Sequence, residues 1–458
     1  MPAWNCRAAP LVLLKRMRQR YSWSWVEAQV AQTIEIWHNS ASRATHAAPL
    51  YSLCEQQERE NAYDEGLLTL ERELKYSRRT KAEQLGRQDR MIAAFARFSA
   101  RAMDLQPEAI QILTDDFLPV GISLARWARR FDENLDMADI IQACRNAWTA
   151  CGLQPLLGAR MQITPAILGY SLLYPYSDNF LDSETITPET KVQFSKRFRE
   201  RLCGEHLAVQ NPRETALWTM VHLIEEQYPR IDYPQVFDSL LAIHHAQEES
   251  IAQVTRGNDC EDAELLRMSC AKGGTSVLAD ACLTRGWLNQ EESCFSFEWG
   301  VLLQLGDDIQ DVHEDLARGS VTLFSRAAAQ GQTLDDLVVQ LLNFSDRVGA
   351  RMDQLPNGDV VLKNLLKMSW RSLIIGAVAH SHEFFSPGFL IQAERSSPFR
   401  FEFLRSRRAK LTSRQGLYAT LFDAFLESPE GSDDELRPPE FRIHQPSSSA
   451  LSLANYGS

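Results

Sequence analysis

The sequence predicts an all-α protein, and three observations carry that expectation. Apolar residues recur at helical spacing over long stretches, period-2 alternation is nearly absent, and glycines and prolines punctuate between the periodic segments. Val236, Leu240 and Ile243 form one stripe, and Leu334, Val338, Leu341, Leu342 and Val348 form another behind a Thr333-x-x-Asp336 start signal. Leu362, Leu365, Leu366, Trp370, Leu373 and Ile374 extend the set. Breaks fall at Asn211-Pro212, Gly286, Gly331 and Pro356-Asn357-Gly358, and no internal repeat is evident.

Composition fits a globular enzyme. With 458 residues, 44% hydrophobic and 24% charged, the chain can bury a sizeable core in one large domain or two. No stretch approaches the ~20 uninterrupted apolar residues of a membrane helix. Arg7, Lys15, Arg16, Arg18 and Arg20 surround a short apolar block, Leu11 to Leu14, too short for a signal peptide, so a cytoplasmic location is expected. A net charge of −12 argues against nucleic acid as a partner. Nine cysteines without CxxC or Cys/His spacing read as reduced thiols rather than a disulfide frame or zinc site. From Ser428 onward the chain is polar and proline-rich, as a disordered tail would be.

The chemistry concentrates in Gln304-Leu305-Gly306-Asp307-Asp308-Ile309-Gln310-Asp311-Val312-His313-Glu314-Asp315, which continues an apolar helical segment containing Phe297, Trp299, Val301, Leu302 and Leu303. Asp307, Asp311 and Asp315 fall at i, i+4 and i+8, stacked on one face with about 6 Å of rise between neighbours. Like charges so placed repel, and a divalent cation would relieve them; hard ions such as Mg²⁺ take oxygen ligands and share them with substrate phosphates. The alternative is a solvated acidic face. A second pair, Asp178 and Asp182, follows Tyr174, Pro175 and Tyr176 and shares a face only if a helix starts or resumes there.

At these residues the sequence resembles the class I isoprenoid synthases, all-α enzymes that ionise prenyl diphosphates. Asp178 to Asp182 is similar to their first aspartate-rich motif, and Gln304, Asp307, Asp311, Glu314, Asp315 and Gly319 to the second motif of squalene and phytoene synthases. Asp307-Asp308-x-x-Asp311 also matches the DDxxD of head-to-tail prenyltransferases, and the first motif lacks an acidic doublet, as in the large terpene synthases.

The resemblance implies a helical bundle around a central cavity over residues 106–427, preceded by a helical extension, 1–105, and followed by the tail, 428–458. It implies a metal set of Asp178, Asp182, Asp307, Asp308, Asp311 and Asp315 for Mg²⁺, three ions in all, with Mn²⁺ a substitute. The segment Arg267 to Val277 sets Lys272 beside Gly273 and Gly274. Consecutive interior glycines suggest a helix break or a close backbone approach to a ligand, similar to the kinked helix of this superfamily. Lys272 and Arg318 are the expected catalytic cations, and Tyr174, Phe180, Arg267, Lys272, Gly273, Gly274, Gln304 and Arg318 the substrate-binding set. Tyr170, Tyr176, Trp299 and Trp370 are further candidates to line an apolar pocket that shields a carbocation.

The implied function is ionisation of a prenyl diphosphate followed by cyclisation or elimination. Condensation of two prenyl units is the nearest alternative, and an all-α metal-dependent phosphohydrolase or a non-catalytic helical binding protein are alternatives of another class. Transient contact with a membrane surface is compatible with such a substrate. His244-His245-Ala246-Gln247-Glu248-Glu249 lacks the HExxH order of a zinc hydrolase and is expected to be a solvated helix face. Product skeleton, substrate length and oligomeric state are not encoded in these motifs.

Overall fold

The computed structural model describes residues 24–41, 49–75, 81–183, 185–254 and 261–412, and these are all-α, with no strand among them. The first helices are α1 (Ser24–His38), α2 (Leu53–Lys75), α3 (Lys81–Ala102) and α4 (Pro107–Gln111), the last running through a π-helical turn, Ile112–Phe117, into α5 (Leu118–Phe131). Then come α6 (Met137–Leu156), α7 (Pro165–Asp182), α8 (Pro188–Leu202), α9 (Pro212–Gln227), α10 (Pro234–Val254), α11 (Asp262–Arg285) and α12 (Gln290–Gln310). The chain continues as α13 (Val312–Arg318), α14 (Leu323–Ala329), α15 (Asp335–Gln354), α16 (Val360–His380), α17 (Pro387–Arg395) and α18 (Phe401–Thr412).

Local chemistry sets most of these boundaries. Asp136, Thr164 and Asn211 each accept a backbone N–H three residues on, opening α6, α7 and α9, and Asn289 and Glu292 close a reciprocal capping box on α12. Gly286 ends α11 at φ 88°, a conformation that glycine adopts without strain. The expected Thr333 start signal is not used: α15 begins after Leu334 with no side-chain cap, and Asp335 instead accepts from the backbone N–H of Ser386 at 3.0 Å. Tertiary contact with the segment before α17 outbids the local box.

The central helix is α11, packed on α12, α10, α6 and α1. Its residues are buried almost all round from Leu265 to Thr284, as a helix enclosed on every side must be. The stripes read from α10, α15 and α16 do face the core: Val236, Leu240, Val338, Leu341, Leu362 and Ile374 are all buried. The described N-terminal helices pack against the rest of the chain. Three side chains of α15, Gln340, Asn343 and Arg347, donate to the carbonyls of Trp37, Ser40 and Asn39, satisfying the open C-terminal end of α1. The α2–α3 hairpin is tied to the C-terminal helices, where Gln56 donates to the carbonyls of Glu394 and Ser397 and Arg400 pairs with the buried Glu60. No helix among the described residues is long and apolar enough to cross a membrane.

Candidate functional site

Both acidic motifs lie at one end of the bundle. Near the C-terminal end of α7, Asn179 donates to Asp139 in the first turn of α6 at 2.8 Å. Asp307, near the end of α12, meets Arg145 of the same α6 at 3.7 Å, and Asp308 accepts from Ser269 in the N-terminal third of α11 at 2.8 Å. At the opposite end of α6 and α11, Arg285 donates to the carbonyl of Leu157, so these two helices run in parallel and place their N-terminal ends together. Helix α7 continues past Pro175 to Asp182, which keeps Asp178 on a helix. The side chains of Tyr174 and Asp182 lie outside the described residues.

The second motif is not one uninterrupted helix. Helix α12 stops at Gln310 and α13 begins at Val312, with Asp311 between them at φ −95° and ψ 7°. The spacing survives, because the N–H of Asp311 still donates to the carbonyl of Asp307 at 2.9 Å and that of Asp315 to Asp311 at 2.8 Å. Burial pushes the Asp307 carboxyl up to about 6, with Asp308 and Asp311 adding repulsion against the pull of Arg145 and Lys272. Asp315 is pushed up to about 7 by burial and by the charges of Asp308 and Asp311. Asp307 keeps 48% of its side-chain exposure, so water screens part of that burial effect.

Asp308 differs from its neighbours. It is buried in the α11–α12 seam and its two oxygens accept from Gln304 at 2.8 Å and from Ser269 at 2.8 Å. That placement fixes the seam rather than presenting an open ligand. Gln304, expected to touch substrate, makes its hydrogen bond to Asp308. In the first motif, Asp178 accepts from Ser177 at 2.8 Å and from Gln247 Nε2 at 3.1 and 3.3 Å.

The expected helix break at Gly273-Gly274 is absent. Helix α11 is continuous there, and the glycines allow a close crossing instead. A Cβ on Gly273 would lie 2.5 Å from the carbonyl oxygen of Gly300, one on Gly300 would lie 2.0 Å from that of Gly273, and one on Gly274 would meet the Phe297 ring at 2.4 Å. The backbone approaches another helix, not a ligand. Lys272 remains beside the acidic cluster, its charge felt by Asp307 and Asp308.

Other expected cations are occupied. Arg267 is held by Glu264 at 2.9 Å, Glu27 of α1 at 3.3 Å and Glu249 of α10 at 3.4 Å, which makes it a tie between three helices rather than an anion clamp. Arg318 pairs with Glu314 one turn back at 2.6 Å on an exposed face, and Arg326 pairs with Asp262. Arg256 lies outside the described residues. Phe180 is buried against Phe194, with the Arg213 guanidinium 3.9 Å over its ring, a core position between α7, α8 and α9. Trp299 and Trp370 pack against each other at 5.4 Å, while the hydroxyls of Tyr170 and Tyr176 donate to the Ser276 carbonyl and to Asp132.

Three features escaped the sequence. Arg145 carries no motif that marks it, yet faces Asp307. Asp280 is fully buried between α6, α7 and α11, held on one oxygen by Asn146 at 3.2 Å. The His244–Glu249 stretch is not a solvated face: His244 is buried beside Ser195, and Glu248 binds Ser195 and Arg199 of α8.

Among the described residues, no three His, Cys, Asp or Glu side chains converge closely enough to hold a metal ion by themselves. The donor set still fits a hard divalent cation that shares its shell with water and phosphate, because Mg²⁺ commonly takes only one or two protein carboxylates, and Asp307 and Asp315 are carboxylates each repelled by Asp308 and Asp311. Scans of the chain against protein-family models, curated proteins and solved structures returned no match.

Proposed function

We propose that this chain is a Mg²⁺-dependent enzyme of the class I terpene synthase type, which ionises a prenyl diphosphate and resolves the carbocation by cyclisation or elimination. The observation that carries the reading is the placement toward one end of α6 of both motifs, the α7 end through Asn179 on Asp139 and the Asp307–Asp311–Asp315 stack through Arg145 on Asp307, with Lys272 close enough for Asp307 to feel its charge. An acidic wall flanked by two cations suits a ligand that is a metal complex of an oxyanion, since each sign of charge then has a partner.

In that role Asp178, Asp307, Asp311 and Asp315 would hold the ion, which would supply positive charge at the departing diphosphate. Lys272, fixed on the rigid central helix, would meet charge that develops only as the C–O bond breaks, and so acts more strongly in the transition state than in the ground state. Asp308 and Gln304 would keep the turn that presents Asp307 and Asp311 in register.

The test is incubation of the purified full chain with C10, C15, C20 and longer prenyl diphosphates and Mg²⁺, with hexane extracts analysed by mass spectrometry. A hydrocarbon or alcohol that disappears in EDTA is the expected result. A product carrying the carbon of two substrates would shift the reading to condensation. Release of phosphate without any hydrocarbon, or turnover undiminished in EDTA, would overturn it.

A further inference from the structure

From Cys270 to Thr284 every residue of the central helix α11 is buried except Lys272 and Ser276, which stand four apart on one face. Across from Ser276 are two more part-buried polar residues, Asn146 of α6 and Tyr170 of α7, where these three helices pack on one another. The Tyr170 hydroxyl donates to the Ser276 carbonyl at 3.4 Å, and Asn146 donates to Asp280, one turn beyond Ser276. Side chains that keep accessible surface while facing one another between packed helices bound an internal cleft. The cleft leads toward the second acidic motif, because Asp307 feels the charge of Lys272.

The polar atoms along this cleft are held in a definite arrangement. Both hydrogens of the Asn146 amide are committed, one to Asp280 Oδ1 and one to Ser171 Oγ, each at 3.2 Å. That fixes the way the amide points and leaves its carbonyl oxygen as the free acceptor. Asp280 Oδ2 has no hydrogen-bond partner among the described residues, and burial favours the protonated acid, whose Oδ1 is then an acceptor for the amide. The Ser276 hydroxyl makes no hydrogen bond among the described residues, and the Tyr170 oxygen can accept while it donates. Amide carbonyl, serine hydroxyl and tyrosine hydroxyl offer a water molecule three partners, the usual complement of a buried water. A hydrocarbon alone would leave all three without one.

We propose that the reaction ends by capture of a water held by Asn146, Ser276 and Tyr170, so that the product is a terpene alcohol whose oxygen comes from solvent. The inference rests on the carbocation chemistry proposed above and deepens it by naming the nucleophile that ends it. Diphosphate leaves with the electron pair of the C–O bond. A lone pair of the held water forms the new C–O bond to the cationic carbon. The proton then lost from that oxygen passes to the released diphosphate, a base that the reaction itself supplies. A cation needs no activated nucleophile, so the protein has only to place the water.

The experiment incubates the full chain with Mg²⁺ and C15 or C20 prenyl diphosphate in ¹⁸O-labelled water, and follows the label in the hexane extract and in the phosphate product by mass spectrometry. Wild type should give an alcohol carrying the label. Ser276→Ala, which alanine's helix preference should keep folded, should lower the ratio of alcohol to hydrocarbon about tenfold or more, and Ser276→Thr should restore part of it. Asn146→Leu, and Asp280→Leu, which frees the amide to turn, should move the ratio the same way, with thermal unfolding confirming that each variant folds. Hydrocarbon alone from wild type would overturn the inference and leave the proposed function standing. A labelled alcohol whose ratio to hydrocarbon stays within about twofold in Ser276→Ala would also overturn it. An unlabelled alcohol with the label in the phosphate product means attack at phosphorus, and the proposed function fails together with the inference, as it does if no substrate is consumed.

Discussion

Adding one methyl group at Gly300 should destabilise this protein although it improves a helix. Alanine is favoured over glycine in a helix interior by about 1 kcal/mol, so propensity alone predicts a gain at Gly273, Gly300 and Gly376 alike. Packing separates them. A Cβ at Gly300 would stand 2.0 Å from the Gly273 carbonyl oxygen and 3.1 Å from the Gly274 Cα, and both are backbone atoms that cannot rotate away. A Cβ at Gly273 would meet Gln304 Cβ at 2.4 Å and the Gly300 carbonyl oxygen at 2.5 Å. A Cβ at Gly376 would meet nothing within 4 Å. Relieving the clash requires α11 and α12 to part by about 1 Å along their crossing, and overpacking of a dense seam costs typically 1–3 kcal/mol, more where no side chain can yield. Net of the propensity gain, Gly300→Ala should lose about 2 kcal/mol or more, Gly273→Ala a similar amount, and Gly376→Ala should gain up to about 1 kcal/mol. Denaturant unfolding of the three variants with unchanged m-value is the assay. A Gly300→Ala protein as stable as wild type would refute the crossing. The same shift would move Gln304 and Asp308 against Ser269, so metal-dependent turnover should fall with stability at Gly273 and Gly300 but not at Gly376.

Two further outcomes follow from the buried and paired charges. Burial raises the Asp280 carboxyl well above its usual value of 3.8, opposed only in part by the Asn146 hydrogen bond, so the folded state binds a proton that the unfolded state has released. A raised carboxyl contributes stability below the unfolded value and loses it as pH climbs toward the folded one. Asp280→Asn should therefore match wild type in acid and exceed it progressively above about pH 4, by up to about 1.4 kcal/mol per pH unit, in urea titrations at several pH values; a gap independent of pH would contradict the buried neutral acid. Arg267→Met should cost about 1 kcal/mol, because its contacts with Glu27, Glu249 and Glu264 are partly exposed, and, on the proposed function, should leave KM for a prenyl diphosphate within about twofold. A large rise in KM with unchanged stability would restore Arg267 to the anion site.

The sequence by itself determined what depends on neighbours a few residues apart. Apolar spacing gave the core faces of α10, α15 and α16, the Asn211-Pro212 break gave the start of α9, and the four-residue period placed Asp307, Asp311 and Asp315 on one face even across the interruption at Asp311. What the tertiary structure decided depends on partners far along the chain. Gly273 and Gly274 suggested a helix break until Gly300 and Phe297 supplied the surface they pack against. Arg267 was a free cation in the sequence and a bound one once α1 and α10 lay beside it. Gln247, Ser269 and Asn146 acquire roles only through contacts 69, 39 and 134 residues away. Helical periodicity reports which face of a segment is apolar, whereas a polar residue is a ligand, a tie or a solvated group according to the charge and shape of what folding brings to it.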